Sequence, residues 1–504
     1  MLSREQTSSI SGALAAIVRE VTERPIFTGA RFGLAVHDVV EGLPIYQYNA
    51  QELFQAASTT KNLTAAYALS LLGRDFRFRT RLVRSATVDA SGTLHGDLIL
   101  VGSGDPNLSG RVTPNDTLDF QDFDHSVGGP KARVVERPPL QIIEAFARGV
   151  REAGIRRVTG TVLVDTQLFS EGYREPGTGT TVSPIAVNDN LIDIEVKAGE
   201  RAGERLSYRI TPPSGYVRFI DRATTAPKDA LHTLQFSSEQ RQTDGTWSVV
   251  ISGSVPVGTT LMTRFAVESP SRFARTLLVE ALASAGIVVE GGLLGSSVTS
   301  DVTSEDGEVV FEHVSPPLVE ATKVILKVSQ NLHAEMLLPV IGATVQGTRG
   351  PEAAATGYES GRELLARWGV DMTGACQGDA AGGFGYFSPD FMCRLLVRLA
   401  SSEIYQDFAA CLPVMGHDGT LRDVQRDSPA AGHVLAKTGT LGFPDRLYNG
   451  VLYGAKGLAG YATTQSGRRV VFAIYLNNFY RPPTSDVDPG EVLGELAAAI
   501  YQCL

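Results

Sequence analysis

Ala56-Ala57-Ser58-Thr59-Thr60-Lys61-Asn62-Leu63 is the most informative stretch of this chain. A polar, extended run over 46–55 precedes it. Leu63, Ala66, Tyr67 and Ser70 then recur at helical spacing, which predicts a helix over 58–72. Ser58 falls in its first turn, and Lys61 lies three residues on, on the same face. A serine hydroxyl is a poor nucleophile near neutral pH and needs a base beside it. A lysine serves as that base when burial or a second cation lowers its pKa. The helix N-terminus adds N–H groups and a positive dipole end that favour negative charge growing on a bound carbonyl oxygen. Taken alone the pair is ambiguous, because an N-capping serine followed by an exposed lysine has the same spelling.

Two further stretches remove the ambiguity. Ser329-Gln330-Asn331 stands inside Val328-Ser329-Gln330-Asn331-Leu332-His333-Ala334-Glu335, and Lys437-Thr438-Gly439-Thr440 stands inside Leu435-Ala436-Lys437-Thr438-Gly439-Thr440-Leu441. The chain has eight lysines, and only Lys61 has a serine three residues before it. Ser-x-x-Lys, Ser-x-Asn and Lys-Thr-Gly, in that order, form the motif set of penicillin-recognising serine acyl-transferases.

The whole chain sets wider bounds. Its 504 residues suffice for two or three domains, and 43% hydrophobic with 20% charged residues is a globular composition. A net charge of −10 with no basic tract argues against a nucleic-acid partner. No apolar run reaches membrane-spanning length. The N-terminal apolar segment 10–18 is flanked by Arg4-Glu5 and Arg19-Glu20 without a small-residue cleavage pattern, so it reads as an amphipathic helix rather than a secretory signal. The four cysteines, Cys376, Cys393, Cys411 and Cys503, have no Cys-x-x-Cys spacing and are expected to be free thiols rather than zinc ligands. None of the eight histidines forms a His-Glu-x-x-His pair, and no Gly-x-Ser-x-Gly elbow occurs, so neither a metal site nor a Ser-His-Asp triad is expected. His333 and Glu335 read as one helix face near a site, and Gly102-Ser103-Gly104-Asp105 reads as a turn, since no lysine follows it.

Along the chain, 30–40 and 43–48 form a strand and its hairpin partner, followed by the Ser58 helix. From about 84 short β-like runs alternate with Gly, Asp and Pro. Strands are expected at 98–101, 161–165, 192–196, 206–210 and 247–253, a long polar loop at 112–139, and helices at 140–153 and 271–285. Helical texture returns at 318–328, 332–341, 361–368 and 389–400. Strands follow at 433–440, 458–464 and 469–477, and Asp488-Pro489 caps a last helix. The expectation is an α/β, multi-domain α+β chain. A catalytic domain is formed by 1–84 plus 313–504, and 85–312 is an insertion of one or two mostly β domains.

These residues give the chain a resemblance to the class C low-molecular-mass penicillin-binding proteins, the serine D-Ala-D-Ala carboxypeptidases of the S13 peptidase family. Gly96-Asp97-Leu98-Ile99-Leu100-Val101-Gly102-Ser103-Gly104-Asp105-Pro106, Ser315-Pro316-Pro317-Leu318, Leu412-Pro413-Val414-Met415-Gly416-His417-Asp418-Gly419-Thr420-Leu421 and Leu458-Ala459-Gly460-Tyr461 also look like that family. The resemblance implies a transpeptidase-like domain, a sheet flanked by helices as in β-lactamases, interrupted between the first and second motifs. It implies Ser58 as nucleophile, Lys61 as its base, Ser329 as a proton relay and Asn331 as a clamp on Lys61 and the substrate amide. Lys437 would depress the Lys61 pKa and attract the substrate carboxylate, Thr438 and Thr440 would donate to that carboxylate, and Gly439 would admit close approach. The backbone N–H groups of Ser58 and Thr440 would form the oxyanion hole. No cofactor and no metal are implied.

The implied activity is D-Ala-D-Ala carboxypeptidase, with DD-endopeptidase activity alongside. The implied partners are the peptidoglycan stem peptide as acyl donor and β-lactams as covalent inhibitors. An esterase, a D-amino-acid amidase or a peptide cyclase on the same Ser–Lys machinery is the alternative, and a non-catalytic binding protein is a third. The family function implies a periplasmic or otherwise extracytoplasmic location, whereas the absence of a signal pattern keeps the cytoplasm open. The oligomeric state is unassigned. Two departures stand out. Gly378-Asp379-Ala380-Ala381-Gly382-Gly383-Phe384 replaces the usual Asp-Gly-Ser-Gly-Leu, and a Gly-, Tyr- and Phe-rich segment, 442–457, separates Lys-Thr-Gly-Thr from Leu-Ala-Gly-Tyr. That segment reads either as a loop reshaping the acyl-donor pocket or as a surface hairpin.

Overall fold

The computed structural model describes residues 4–292 and 307–504. The chain forms two compact units, one from Met1–Asp75, Leu318–Ile341 and Gly357–Leu504, the other from Phe76–Pro317 and Gly342–Thr356.

The first unit is built on a five-stranded antiparallel sheet. Its strands are β1 (Arg31–Asp38), β2 (Pro44–Tyr48), β3 (Val434–Pro444), β4 (Val451–Thr463) and β5 (Arg469–Arg481), in the order β2-β1-β5-β4-β3. The central strands are buried along nearly their whole length, because helices cover both faces. On one face lie α1 (Arg4–Thr22) and α6 (Pro489–Cys503). Leu14, Val18 and Val21 meet Leu493, Leu496 and Ile500 there in a core that also takes Val36, Phe472 and Ile474 from the sheet. The Asp488 carboxylate caps α6 by accepting the Gly490 N–H at 2.6 Å. The other face carries α2 (Lys61–Leu71), α3 (Leu318–Lys327), α4 (Asn331–Val345) and α5 (Pro389–Ala400). Here α5 lies directly on the sheet: the Cys393 Sγ donates to the Ala35 carbonyl at 3.4 Å, and the Tyr461 hydroxyl donates to the Leu396 carbonyl at 3.0 Å.

The segment 442–457 is not a loop. β3 and β4 run on as a hairpin, paired out to Pro444 and Val451, with a bulge that leaves Gly454 without a partner. All four cysteines are free thiols. Among the described residues no helix is long and apolar enough to cross a membrane.

The second unit has its own core. Leu82, Leu100, Phe146, Val164, Ile194, Phe273 and Leu278 pack between its sheets and the helices Gln141–Glu152 and Pro270–Ser284. One sheet orders Glu308–Val314, Arg79–Arg84, Leu98–Val101 and Val162–Asp165, and another orders Ser207–Thr211, Leu191–Lys197 and Thr260–Ala266. The polar stretch 112–139 lacks regular structure, as expected, yet it is pinned. Arg111 Nη2 donates to Asp124 Oδ2 at 2.5 Å and to Asp189 Oδ2 at 2.8 Å. His125 sets Nδ1 at 2.6 Å from Asp193 Oδ1 and Nε2 at 2.8 Å from Asp189 Oδ2. Asp124, His125 and Asp189 have the donor types of a metal site. Both ring nitrogens face carboxylate oxygens, however, so both carry protons, and an imidazolium has no lone pair for a metal. The cluster is an ion network.

Candidate active site

The setting of Ser58 begins with a strained turn. Ala57 sits at φ 46°, outside the region L-residues prefer, so the helix expected from Ser58 cannot start as α. Ala57–Thr60 forms a 3-10 turn, and the α-helix begins at Lys61. The Thr59 and Thr60 hydroxyls close the turn by donating back to the carbonyls of Ala56 and Ala57 at 2.8 and 2.9 Å. Ser58 therefore stands at the mouth of α2 with Lys61 one tight turn behind it.

Lys61 is fully buried, and its Nζ lies 2.7 Å from Ser58 Oγ, 2.7 Å from Asn331 Oδ1 and 2.8 Å from the Ala381 carbonyl oxygen. Asn331 Oδ1 and the Ala381 carbonyl only accept, so each takes an N–H. The Ser58 hydroxyl can donate or accept. Toward Ser58 the nitrogen can present either an N–H pointing at Oγ or a lone pair receiving the Oγ proton.

Ser329 lies half-buried between the end of α3 at Lys327 and the start of α4 at Asn331, with φ 65°. That left-handed residue turns the chain so that α4 opens with Asn331 against Lys61. The stretch 412–421 holds the junction in place. Lys327 pairs with Asp418 at 2.6 Å, Asp418 accepts the Val414 N–H at 2.9 Å, and the Thr438 hydroxyl donates to Thr420 Oγ1 at 2.7 Å. One segment thereby ties the Ser-x-Asn turn to the Lys-Thr-Gly strand.

That strand, β3, is the edge of the sheet. The Ala436 N–H faces outward, donating to the Pro413 carbonyl at 3.0 Å. With a period of two, the N–H groups of Thr438 and Thr440 face the same edge. Gly439 presses against the backbone leading into Ser58: a Cβ there would lie 2.6 Å from the Ala56 carbonyl oxygen and 3.1 Å from the Ser58 nitrogen. No side chain fits in that gap. Lys437 is fully buried and donates to the Thr438 carbonyl at 2.8 Å. Burial pushes its ammonium well below the ordinary lysine value, and the charges of Lys61 and Lys456 act in the same direction. The Thr440 hydroxyl accepts from Lys456 Nζ at 2.8 Å. Lys456 also lies near Gly490 at the start of α6.

Several participants escaped sequence reasoning. The segment 378–384 forms the opposite wall. The Asp379 carboxylate accepts the N–H groups of Gly382 at 2.5 Å and Phe384 at 2.8 Å. Glu335 Oε1 accepts those of Ala380 and Ala381 at 3.0 and 2.8 Å, which aims the Ala381 carbonyl at Lys61. Gly382, at φ 105°, packs so closely that a Cβ would strike the Ala57 carbonyl and lie 2.9 Å from the Ser58 nitrogen. Only the position of Glu335 on the helix face after Ser-x-Asn hinted at this; a backbone carbonyl leaves no signal in a sequence.

The D-Ala-D-Ala carboxypeptidase 3 (S13) family model matches residues 14–493. The chain is 29% identical over 483 residues to a D-alanyl-D-alanine carboxypeptidase of Actinomadura sp., covering 91% of this chain and 82% of that one. It is 24% identical over 469 residues to the D-alanyl-D-alanine carboxypeptidase DacB of Haemophilus influenzae, covering 90% and 86%. Its fold matches the crystal structure of penicillin binding protein 4 from Haemophilus influenzae with a TM-score of 0.75 at 20% identity, over 96% of this chain and 98% of the other. With the family model spanning nearly its whole length, the chain belongs to the D-Ala-D-Ala carboxypeptidase 3 (S13) family, the serine D-Ala-D-Ala carboxypeptidases.

Proposed function

We propose that this carboxypeptidase acts through a Ser58 acyl-enzyme on peptides ending in D-Ala-D-Ala, with the peptidoglycan stem peptide as natural acyl donor. The observation that carries the reading is Lys61 Nζ lying 2.7 Å from both Ser58 Oγ and Asn331 Oδ1. Ser58 Oγ attacks the carbonyl carbon of the penultimate D-Ala while its proton passes to Lys61. The N–H groups of Ser58 and Thr440 receive the oxyanion, and losing one such donor costs about 2.7–4 kcal/mol of barrier. The C–N bond then breaks, and Ser329 relays a proton to the departing amine. Water cleaves the resulting ester and restores Ser58. Asn331 holds Lys61 and the substrate amide, Lys437 and Thr438 meet the terminal carboxylate, and Gly439 leaves room for it. β-Lactams acylate the same serine, as befits the complex of the Haemophilus penicillin binding protein 4 with a β-lactam. Such a substrate places the enzyme outside the cytoplasm.

Release of free D-Ala from a peptide ending in D-Ala-D-Ala, with Ser58→Ala as control, tests the reading. Release that falls to background in the variant is expected. No release from a protein that a penicillin still acylates at Ser58 would keep the nucleophile and discard the substrate.

A further inference from the structure

We propose that Phe443 and Phe384 form an aromatic acyl-donor subsite, so that this enzyme favours donors carrying an apolar or aromatic group two to three residues upstream of the penultimate D-Ala. The proposal rests on the carboxypeptidase reading above for the direction in which a substrate lies. Two glycines pack near the Ser58 nitrogen: an added Cβ would lie 2.9 Å from it on Gly382 and 3.1 Å from it on Gly439. Each is followed along the chain by an exposed phenylalanine. Phe384 is 60% exposed and Phe443 is 50% exposed.

Gln55 connects the two. Its side-chain amide donates to the Gly383 carbonyl at 3.1 Å, and Asn477 clamps its backbone with contacts of 2.8 and 3.1 Å. On its other side lies Gly454, the bulged residue of the hairpin. A Cβ on Gly454 would lie 3.1 Å from the Phe443 ring and 3.7 Å from Gln55 Oε1. The bulge therefore lays the Phe443 ring over a bare glycine, on the Gln55 side of the sheet. The nearby positions, Gly383, Phe384, Gly442, Phe443 and Gly454, carry no charge. An apolar group on the donor would find two rings there.

The open edge of β3 sets the distance. A peptide added along it, with its terminal carboxylate at Lys437 and Thr438 and its scissile carbonyl at the Thr440 N–H, continues toward Pro444. Phe443 is three residues past Thr440, about 10 Å along an extended strand. That is the span of two to three donor residues.

Acylation of Ser58 by two thioesters decides the matter: benzoyl-Gly-D-Ala-thioglycolate and acetyl-Gly-D-Ala-thioglycolate, which differ only in the ring. The wild-type protein is expected to prefer the benzoyl donor by about tenfold in kcat/KM, the scale of an apolar group gained in a pocket. Phe443→Ala and Phe384→Ala should each reduce that ratio several-fold. A ratio near one in the wild type, or a ratio unchanged in both folded variants, overturns the proposal. Thermal melting establishes that the variants are folded, and two independent positions keep the test decisive if one is not. The matching peptides ending in D-Ala-D-Ala are run alongside. Absence of D-Ala release from both would sink the carboxypeptidase reading, while the thioester ratio still reports on the subsite.

Discussion

At the scale of single residues, the proposed chemistry turns on the groups around Lys61. Two pure acceptors, Asn331 Oδ1 and the Ala381 carbonyl, lie at its Nζ together with Ser58 Oγ. The Ala381 carbonyl is aimed in turn by Glu335, whose one oxygen accepts two N–H groups. Glu335→Ala would leave both donors buried without a partner, at about 1–3 kcal/mol each, and release the carbonyl. The expected result is a fall in acylation rate by about ten- to a hundredfold, with the pH dependence of acylation altered because the environment of Lys61 has changed. Glu335→Gln keeps an acceptor oxygen in the same place and is expected to recover most of the rate. Stopped-flow acylation by a penicillin across pH measures both. Equal losses in the two variants would show that the charge, not the acceptor geometry, matters. Ser58, Lys61, Ser329, Asn331 and the Lys-Thr-Gly strand stand out as candidates in the sequence because side-chain chemistry at fixed spacing leaves a pattern, and the structure sets Lys61 against Ser58 and Asn331. Ala381 and Gly382 contribute backbone atoms and tight approach, which alanines and glycines do not advertise.

At the scale of elements, the sequence disclosed most where periodicity and end signals agree. Pro389–Ala400 appears with the limits its pattern predicted, and Asp488-Pro489 marks the start of the last helix. The reading was weaker where pairing with a distant strand decides the conformation. Residues 442–457 contain Gly442, Gly450, Gly454 and Gly457, which lower strand propensity, yet the ladder to β4 carries them. The α-helix begins at Lys61 rather than Ser58, after the 3-10 turn that follows the positive φ of Ala57. The legible cap provides a test of its own. Asp488→Ala removes the acceptor for the Gly490 N–H and should destabilise the protein by about 1 kcal/mol, a fall of a few degrees in melting temperature, whereas Asp488→Asn retains the cap and should lose less. Thermal melting of the three proteins measures this, and identical midpoints would mean that tertiary packing, not the cap, holds that end of the helix.

At the scale of the whole molecule, two compact units with separate cores come from one interleaved chain, and their stabilities respond to different groups. Motifs and periodicity led to the expectation of an insertion, but gave no sign of what holds the long polar stretch 112–139, because Arg111, Asp124, His125, Asp189 and Asp193 are scattered over the sequence without a spacing rule. Their network is buried, with Arg111 2% and His125 5% exposed. Burial alone would lower the His125 pKa. The nearby carboxylates outweigh it, Asp193 and Asp124 by their charge and Asp189 and Asp193 by hydrogen bonds, and hold it well above the ordinary histidine value. A group whose pKa is raised on folding binds its proton more tightly in the folded state. Its stabilisation is therefore complete below the unfolded value, about 6.5, and is lost as pH rises through the folded value. Asp124, whose pKa burial would raise, is instead lowered by the charges of Arg111 and His125, so its share is lost on the acid side. The second unit should thus be most stable between these limits and weaken toward alkaline pH. His125→Gln removes the imidazolium, leaving Asp124 and Asp189 on Arg111 and taking the cationic partner from Asp193. The variant is expected to lose stability near neutral pH and to show a flatter alkaline limb than the wild type in melting temperature against pH. An alkaline limb of the same slope in both proteins would assign the loss to other groups and leave His125 a packing residue.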